Sequence, residues 1–249
     1  MLSSIKMRIL QGDPLVHDVR KNPMPETYRG FPIIGSSACK EGCTACLDVC
    51  PVKAIELNPV RIDLGKCVYC PECERICPEN KIKFSQNYIQ SATDRETLVV
   101  KSGVKEIKAE IASAKIRSYF GKSLKLRQVS AGGCSGCELE LNAAGNVNFD
   151  MGRFGIEFTA SPRHSDGIVI TGPITKNMAE ATEICFEATP KPKIIILNGA
   201  CAISGGIFQN STELDRTFLE KHKIDLFVPG CPPHPLTFVT ALLNWLDRH

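Results

Sequence analysis

The placement of its cysteines constrains this chain more than any other feature. Thirteen cysteines occur in 249 residues, and twelve of them fall into three groups of four. The first group is Cys39, Cys43, Cys46 and Cys50, and the second is Cys67, Cys70, Cys73 and Cys77. The third group is Cys134, Cys137, Cys201 and Cys231. Two dense groups followed by one dispersed group predict two structural units that each bind metal clusters through thiolates.

Composition argues against a disulfide framework. Disulfides need an oxidising compartment, and the first ten residues, MLSSIKMRIL, lack the apolar core of an export signal because Lys6 and Arg8 interrupt them. No apolar stretch approaches the roughly 18 residues of a membrane span. The net charge of +3 is too small to indicate nucleic-acid binding. We therefore expect a cytoplasmic chain with reduced thiolates, which reaches a membrane through partner subunits.

The region before the last cysteine group divides into three segments. Residues 1–35 are polar and interrupted by prolines, which predicts an extended N-terminal segment. Residues 36–90 hold the dense cysteine groups, with short apolar runs at 53–57 and 81–84 that predict strands. Residues 91–122 connect this domain to the next one.

The connecting region carries a helical signal. Thr93 and Glu96 form a capping box, and apolar residues follow at alternating steps of four and three. Gly103 weakens the signal near its start. The pattern predicts a helix over residues 94–120.

Residues 123–249 have the pattern of an α/β domain. Apolar runs recur at 124–129, 166–171, 193–197 and 224–228, and helix-like segments lie at 176–188 and 211–222. Runs that are apolar on both faces and separated by helices indicate a parallel sheet covered on both sides. The sequence therefore predicts a flavodoxin-like, doubly wound parallel-sheet domain.

The dispersed cysteines follow these apolar runs. Cys134 and Cys137 follow the first run, Cys201 follows the third and Cys231 follows the fourth. The loops beyond the carboxyl ends of parallel strands meet at one edge of a sheet, where ligands bind. We therefore expect four thiolates to converge there.

The cysteine spacing within the two dense groups resembles that of a known protein family. The second group reads C-x2-C-x2-C-x3-C-P, and the first reads C-x3-C-x2-C-x3-C-P. This resembles the bacterial two-cluster ferredoxin, in which the fourth cysteine of each run binds the other cluster. The resemblance implies one 4Fe-4S cluster on Cys39, Cys43, Cys46 and Cys77, and another on Cys67, Cys70, Cys73 and Cys50. A pair of zinc sites is the alternative, and the extra residue after Cys39 leaves a three-iron cluster open.

Four motifs in the second half carry a further resemblance. They are AGGCSGCELE (131–140), RFGIEFTASPRHSDGIVITGPIT (153–175), GACAISGGIF (199–208) and PGCPPHP (229–235). They resemble the small-subunit α/β domain shared by NiFe hydrogenases and the homologous 20 kDa subunit of respiratory complex I. The resemblance implies a third 4Fe-4S cluster on Cys134, Cys137, Cys201 and Cys231, next to the active site of a large subunit.

The spacing of the first pair in this domain separates the two branches of that family. Complex I subunits have adjacent cysteines there, whereas this chain has two residues between Cys134 and Cys137. TYRGFP before the first cysteine and IKFSQNY after the dense groups resemble the ferredoxin-like subunit of formate hydrogenlyase and related group 4, energy-converting membrane-bound hydrogenases. In those complexes the two parts are usually separate chains, and here they look fused.

The resemblance implies an electron-transfer subunit of a NiFe hydrogenase complex at the inner face of the cell membrane. Three 4Fe-4S clusters would connect a low-potential donor, either soluble ferredoxin or a formate- or CO-oxidising partner, to a NiFe site in a separate large subunit. Membrane subunits would complete the complex. The alternatives are a subunit of a nickel-free, complex-I-like oxidoreductase and a ferredoxin-like electron carrier that acts alone.

The remaining candidate residues can be interpreted in structural or in functional terms. Glu138 follows a cluster cysteine and is interpreted either as a proton relay or as a carboxylate held by backbone amides. Cys185 is interpreted as a buried small apolar residue. Arg163 and His164 lie in a loop that resembles the family's subunit contact, so they are predicted to contact another subunit. His234, near Cys231, is interpreted either as a residue beside the third cluster or, more simply, as part of a proline-bounded surface loop.

Overall fold

The dense cysteine groups lie in a unit built from short antiparallel strands and one-turn helices. The computed structural model describes residues 2–12 and 15–248. The first elements in chain order are α1 (Leu2–Gln11), β1 (Pro32–Ile34), α2 (Ala45–Val49), β2 (Ile55–Glu56), β3 (Arg61–Asp63), α3 (Glu72–Ile76), β4 (Ile82–Phe84), β5 (Val99–Lys101) and α4 (Ala114–Phe120). β1 pairs with β4, and β3 pairs with both β2 and β5, all antiparallel.

The two dense cysteine groups fold as repeats of each other. α2 contains Cys46 and ends before Cys50, while α3 contains Cys73 and ends before Cys77. Cys50 has φ −73° and ψ 113°, and Cys77 has φ −73° and ψ 112°. The chain therefore leaves both helices in the same direction and enters β2 or β4, which confirms the strands predicted on these two segments.

The helix predicted over residues 94–120 is wrong for most of its length. Residues 96–98 form a 3-10 turn, and β5 then pairs with β3 in an antiparallel ladder. Leu98 and Val100 are buried by this pairing, which stabilises an extended chain over the helix favoured by the local capping signal. Gly103, at φ +88°, forms the turn after β5. Only the end of the segment is helical, as α4.

The N-terminal segment also differs from its prediction. Residues 1–35 were expected to be extended, but Leu2–Gln11 form the helix α1. Its spacing of apolar residues is helical, and Ile5, Met7, Ile9 and Leu10 are exposed to solvent. Between α1 and β1, the described residues include turns at 19–21 and 26–27.

The second half of the chain forms the predicted α/β domain. Its elements are β6 (Leu124–Ser130), α5 (Gly136–Ala144), β7 (Ile156–Phe158), β8 (Gly167–Thr171), α6 (Lys176–Ala188), β9 (Ile194–Asn198), α7 (Ala200–Ser204), α8 (Thr217–Lys221), β10 (Leu226–Val228) and α9 (Pro235–Trp245). The strands are parallel, in the order β10-β9-β8-β6-β7. Numbered within the domain, this is the flavodoxin-like order 2-1-3-4-5. The fold class predicted from the sequence is confirmed.

The predictions for individual strands and helices of this domain were partly correct. All four predicted strands and the helix at 176–188 are present. The helix predicted over 211–222 is wrong except for α8. β7, α5 and α9 had no prediction. Every residue of β8 and β9 is buried, which explains why their sequences are apolar on both faces.

The two units share buried side chains. Ile62 and Leu64, next to the second cysteine group, belong to the same apolar cluster as Ile203 of the α/β domain. The backbones are also joined, because Ala92 and Phe227 exchange two N–H···O bonds of 3.0 and 2.8 Å. The α/β cysteine loops therefore face the dense cysteine unit. Among the described residues, none of the helices is both long enough and apolar enough to cross a membrane.

Candidate iron–sulfur cluster sites

The dispersed cysteines lie at the carboxyl edge of the parallel sheet. Cys134 lies between β6 and α5, Cys137 lies in the first turn of α5, Cys201 lies in α7 after β9, and Cys231 follows β10. Burial raises the pKa of the Cys137 thiol, and repulsion by Glu138, Cys201, Cys231 and Cys134 raises it further. The fold therefore brings these four thiols together, as the positions of the apolar runs predicted.

Glycines leave the space that these thiols occupy. A methyl group at Gly199, which has φ +96°, would lie 2.6 Å from Sγ of Cys137. A methyl group at Gly206, which has φ +55°, would lie 2.8 Å from Sγ of Cys201. Both distances are far below van der Waals contact, so only glycine allows the thiols to reach their positions. The residues at this edge fit a group that needs several sulfur ligands in a confined space.

The first dense site combines cysteines from both repeats. Cys39, Cys43, Cys46 and Cys77 line one cavity. Burial raises the pKa of the Cys46 thiol, and the charges of Cys77 and Cys39 add to that effect, although nearby N–H groups oppose it. The fourth cysteine of the second run thus lines this cavity with three cysteines of the first run. The crossed cluster ligation that the ferredoxin resemblance implies stays a prediction.

The second dense site has the reciprocal arrangement. Burial raises the pKa of the Cys67 thiol, the Tyr69 N–H lowers it, and Cys73, Cys50 and Cys70 raise it again. Burial raises the pKa of Cys73 to about 12, and Cys70 and Cys50 contribute repulsion. Because a thiolate at such a site is unfavourable on its own, these cysteines need a positive group to hold them ionised.

Backbone N–H groups donate to several sulfur atoms in the dense unit. Ala54 donates to Cys50 and Lys81 donates to Cys77, each at 3.3 Å. These two bonds occupy equivalent positions in the repeat. Tyr69 donates to Cys67, also at 3.3 Å. Hydrogen bonds to ligand sulfur are one of the factors that set cluster potentials.

The repeat shows where the extra residue of the first run is accommodated. Gly42, before Cys43, has φ +69°, and Tyr69, before Cys70, has φ +55°. The left-handed position is therefore the same in both runs. The insertion lies before it, next to Cys39, which is exposed, whereas its counterpart Cys67 is buried.

Within residues 2–12 and 15–248, no three His, Cys, Asp or Glu side chains converge closely enough to hold a single metal ion. Thiolates around one zinc ion lie at about 2.3 Å from the metal. A cluster of several irons holds its ligand sulfurs farther apart. The thiol groups described above are compatible with clusters of that kind.

Glu138 is held by hydroxyl groups. Its Oε1 atom accepts hydrogen bonds of 2.7 Å from both Ser130 and Thr171, which lie at the carboxyl ends of β6 and β8. The expectation that backbone amides hold this carboxylate is wrong. The proton-relay role stays a prediction.

His234 lies at the end of the loop before α9, as predicted, but it is half-buried there instead of at the surface. Its Nδ1 atom accepts a hydrogen bond of 3.1 Å from the Leu236 N–H at the start of α9. The ring packs edge-on against Tyr28 and Phe149, at centroid distances of 5.7 and 5.4 Å. Burial lowers the pKa of His234 to about 4. The histidine therefore acts as a neutral helix cap.

The remaining candidates lie away from the thiol groups. Cys185 is half-buried in α6 and packs against the apolar core, and burial raises the pKa of its thiol while Arg127 opposes that shift. Arg163 and His164 are exposed in a 3-10 turn after β7. Their contact with another subunit stays a prediction.

The fold and its thiol sites define a class of protein: a ferredoxin-type unit with paired cysteine runs, joined to a flavodoxin-like domain with four thiols at its sheet edge. Residues 38–81 match the family described as 4Fe-4S dicluster domain. Residues 134–245 match the family described as NADH ubiquinone oxidoreductase, 20 Kd subunit. The chain belongs to this second family.

Relatives from both branches of the family are similar to this chain. A probable membrane-bound hydrogenase subunit of Pyrococcus furiosus is 38% identical over 135 residues, which are 54% of this chain and 81% of that protein. An NADH-quinone oxidoreductase subunit of Geotalea uraniireducens is 40% identical over 116 residues, 47% of this chain and 68% of the relative. Formate hydrogenlyase subunit 7 of Escherichia coli is 38% identical over 122 residues, 49% of this chain and 48% of the relative.

Proposed function

We propose that this chain is the electron-transfer subunit of a membrane-associated NiFe hydrogenase complex. It relays electrons through three 4Fe-4S clusters, between a low-potential donor and the NiFe site of a partner large subunit. The observation that carries this proposal is the presence of three groups of four thiols in one chain, one of them at the edge of the flavodoxin-like sheet. The donor is soluble ferredoxin or a formate- or CO-oxidising partner.

Each thiol group has a proposed ligand role. One cluster takes Cys39, Cys43, Cys46 and Cys77, the second takes Cys67, Cys70, Cys73 and Cys50, and the third takes Cys134, Cys137, Cys201 and Cys231. When bound, such clusters accept and donate single electrons over a wide range of potentials. The protein holds the thiolates in place, buries them to different extents and supplies N–H donors to sulfur.

Contacts between the two units support an order for the three sites. Gln209, which follows Cys201, donates a hydrogen bond of 3.0 Å to the carbonyl of Val52, which follows Cys50. Gly65, which precedes Cys67, packs against Ile203. These contacts join the second dense site to the third site. The exposed Cys39 site is then the entry point, and electrons pass from it through the Cys67 site to the sheet edge.

The spacing of the third group favours the hydrogenase branch. Identity alone does not separate the branches, because the hydrogenase and quinone-oxidoreductase relatives are 38% and 40% identical to this chain. The two residues between Cys134 and Cys137 differ from the adjacent cysteines of complex I subunits. Ser135, in this gap, has φ +68° and directly precedes α5, so the gap forms a tight turn at the start of the helix.

Purification of the native complex tests the proposal. We expect nickel in the complex, hydrogen evolution driven by reduced viologen, and about 12 irons per copy of this chain, corresponding to three clusters of four. A complex without nickel would support the nickel-free alternative, and isolation as an active single chain would support a carrier role. About eight irons would mean that one ligand group is wrongly assigned.

A further inference from the structure

We propose that Arg216 is a positioning residue of the third cluster site, and that its fixed positive charge raises the reduction potential of the cluster on Cys134, Cys137, Cys201 and Cys231. This inference rests on the cluster ligation proposed above. Arg216 lies between α7 and α8, and no sequence motif indicated a function for it.

The guanidinium group of Arg216 binds main-chain carbonyls around Cys201. One terminal nitrogen donates to Pro173 at 2.9 Å and to Cys201 itself at 3.2 Å. The other donates to Ala202 at 2.8 Å and to Ile203 at 3.0 Å. Ala202 and Ile203 lie in the last turn of α7, where carbonyls lack partners within the helix. Arg216 therefore caps the short helix that carries the cluster cysteine.

The same contacts join two loops of the sheet edge. Pro173 lies between β8 and α6, whereas Cys201 lies after β9. The neighbouring backbone reinforces this junction, because the Asp215 N–H donates to the Ile174 carbonyl at 3.0 Å. Arg216 therefore fixes the position of Cys201 relative to the loop after β8, which a flexible or shorter side chain could not do with the same geometry.

Among the residues that the structure describes, Arg216 has no carboxylate partner. Within the described part of the chain, the ion pairs do not include this arginine. Its hydrogen bonds go to carbonyls, which are dipoles and leave the net charge in place. Burial lowers the pKa of Arg216, the Cys201 thiolate raises it, and Arg95 lowers it. The negative group that acts on this half-buried cation is thus a cluster cysteine.

Arg95, unlike Arg216, has a carboxylate partner. It forms an ion pair of 2.7 Å with Asp63, four residues before Cys67, so its charge is compensated. Arg216 interacts with both Arg95 and Cys201, at the junction of the second and third sites. Its uncompensated charge lies next to a ligand residue of the third site, because it donates to the Cys201 carbonyl at 3.2 Å.

A fixed cation favours the more negative of two redox states. A cluster gains one negative charge when it is reduced, and Coulomb attraction between opposite charges is stronger where water is partly excluded. Charge near a cluster is one of the factors that set its potential. Removal of the Arg216 charge should therefore make the third cluster harder to reduce.

The experiment is a redox titration of the purified complex, monitored by electron paramagnetic resonance, with Arg216→Gln and Arg216→Lys. We expect Arg216→Gln to shift the equilibrium of the third cluster at least tenfold toward oxidation, which lowers its midpoint by about 59 mV for one electron. Arg216→Lys keeps the charge and should retain most of the wild-type midpoint. The midpoints of the other two clusters should change less.

Arg248→Gln is the matched control. Arg248 is also half-buried and also donates to main-chain carbonyls, those of Phe154 and Phe120, but these lie at the amino end of β6, opposite the thiols. This variant should lose stability and keep all midpoints.

An Arg216→Gln variant with a full third-cluster signal and an unchanged midpoint would overturn the inference. Failure of Arg216→Lys to assemble this cluster while the other two are intact would overturn the effect of the charge, because that result assigns the role of Arg216 to its hydrogen bonds alone. Absence of a third cluster in the wild-type complex would instead contradict the proposed ligation.

Discussion

Gly199 lies directly against Cys137, so that a methyl group on its Cα would approach the sulfur to 2.6 Å. The glycine ends the loop after β9, and the cysteine lies in the first turn of α5. This contact packs the Cys137 side chain directly against the backbone of the segment that leads to Cys201. It is a structural requirement of the third site that can be tested apart from the ligands.

Gly199→Ala should remove the third cluster. The added methyl group forces Cys137 away, and alanine at φ +96° adds backbone strain of about 1 kcal/mol or more. Iron content should fall from about 12 to about eight per chain, measured by metal analysis of the purified complex. Gly103→Ala is the control, because Gly103 has φ +88° and its methyl group would meet no atom within 4 Å. Equal iron in both variants would contradict the role of the contact.

Crossed ligation in the dense unit can be tested with double variants. Cys43→Ser with Cys77→Ser removes two ligands of one proposed cluster, so about four irons should be lost. Cys70→Ser with Cys77→Ser removes one ligand from each of the two clusters, so about eight irons should be lost. Iron analysis and cluster spectra of the complex measure both. The opposite order of losses would show that each run binds its own cluster.

Tyr69 connects the second cluster site to a buried amide. Its hydroxyl donates to Oε1 of Gln90 at 3.0 Å, and both side chains are buried. Tyr69→Phe leaves the Gln90 oxygen without this donor, which should reduce the free energy of unfolding by about 1–3 kcal/mol. Chemical denaturation followed by loss of cluster absorbance measures the change. Tyr119→Phe, at an exposed tyrosine, should cost much less, and an equal cost would contradict this interpretation.

The parallel sheet and the positions of its cysteines were predictable, because fully buried strands need continuous apolar runs and ligand loops follow their carboxyl ends. The crossed thiol groups were implied by the resemblance of the dense cysteine runs to the two-cluster ferredoxin. The sequence signal failed at residues 94–120, where the ladder between β5 and β3 joins residues far apart in the chain. Such pairing leaves no local pattern, whereas the capping box is local and favoured a helix.

Two other features had no usable sequence signal. α9 is buried around nearly its whole surface, so it shows no polar face from which a helical period could be read. Arg216 binds main-chain carbonyls, which every residue possesses, so its partners cannot be recognised from residue types. Both features become visible only when distant segments are brought together.

His234 should make the stability of the protein depend on pH. Its pKa is about 4 in the folded chain, against an ordinary value of 6.5. Between these values the unfolded chain binds a proton that the folded chain does not, so stability falls as the pH falls through this window. The neutral ring is also the form whose Nδ1 atom accepts the Leu236 N–H. From pH 7 to pH 5 we expect a loss of about 2 kcal/mol in the free energy of unfolding.

His234→Asn separates this titration from the cap. Asparagine is a good helix N-cap and does not titrate in this range, so the variant should keep α9 while the fall in stability from pH 7 to pH 5 becomes smaller by about 2 kcal/mol. His234→Ala should lose the cap as well, and should be less stable than His234→Asn at both pH values. Urea denaturation of the three proteins at pH 7, 6 and 5 provides the measurement. The same pH dependence in wild type and His234→Asn would show that the titration of His234 is not coupled to folding.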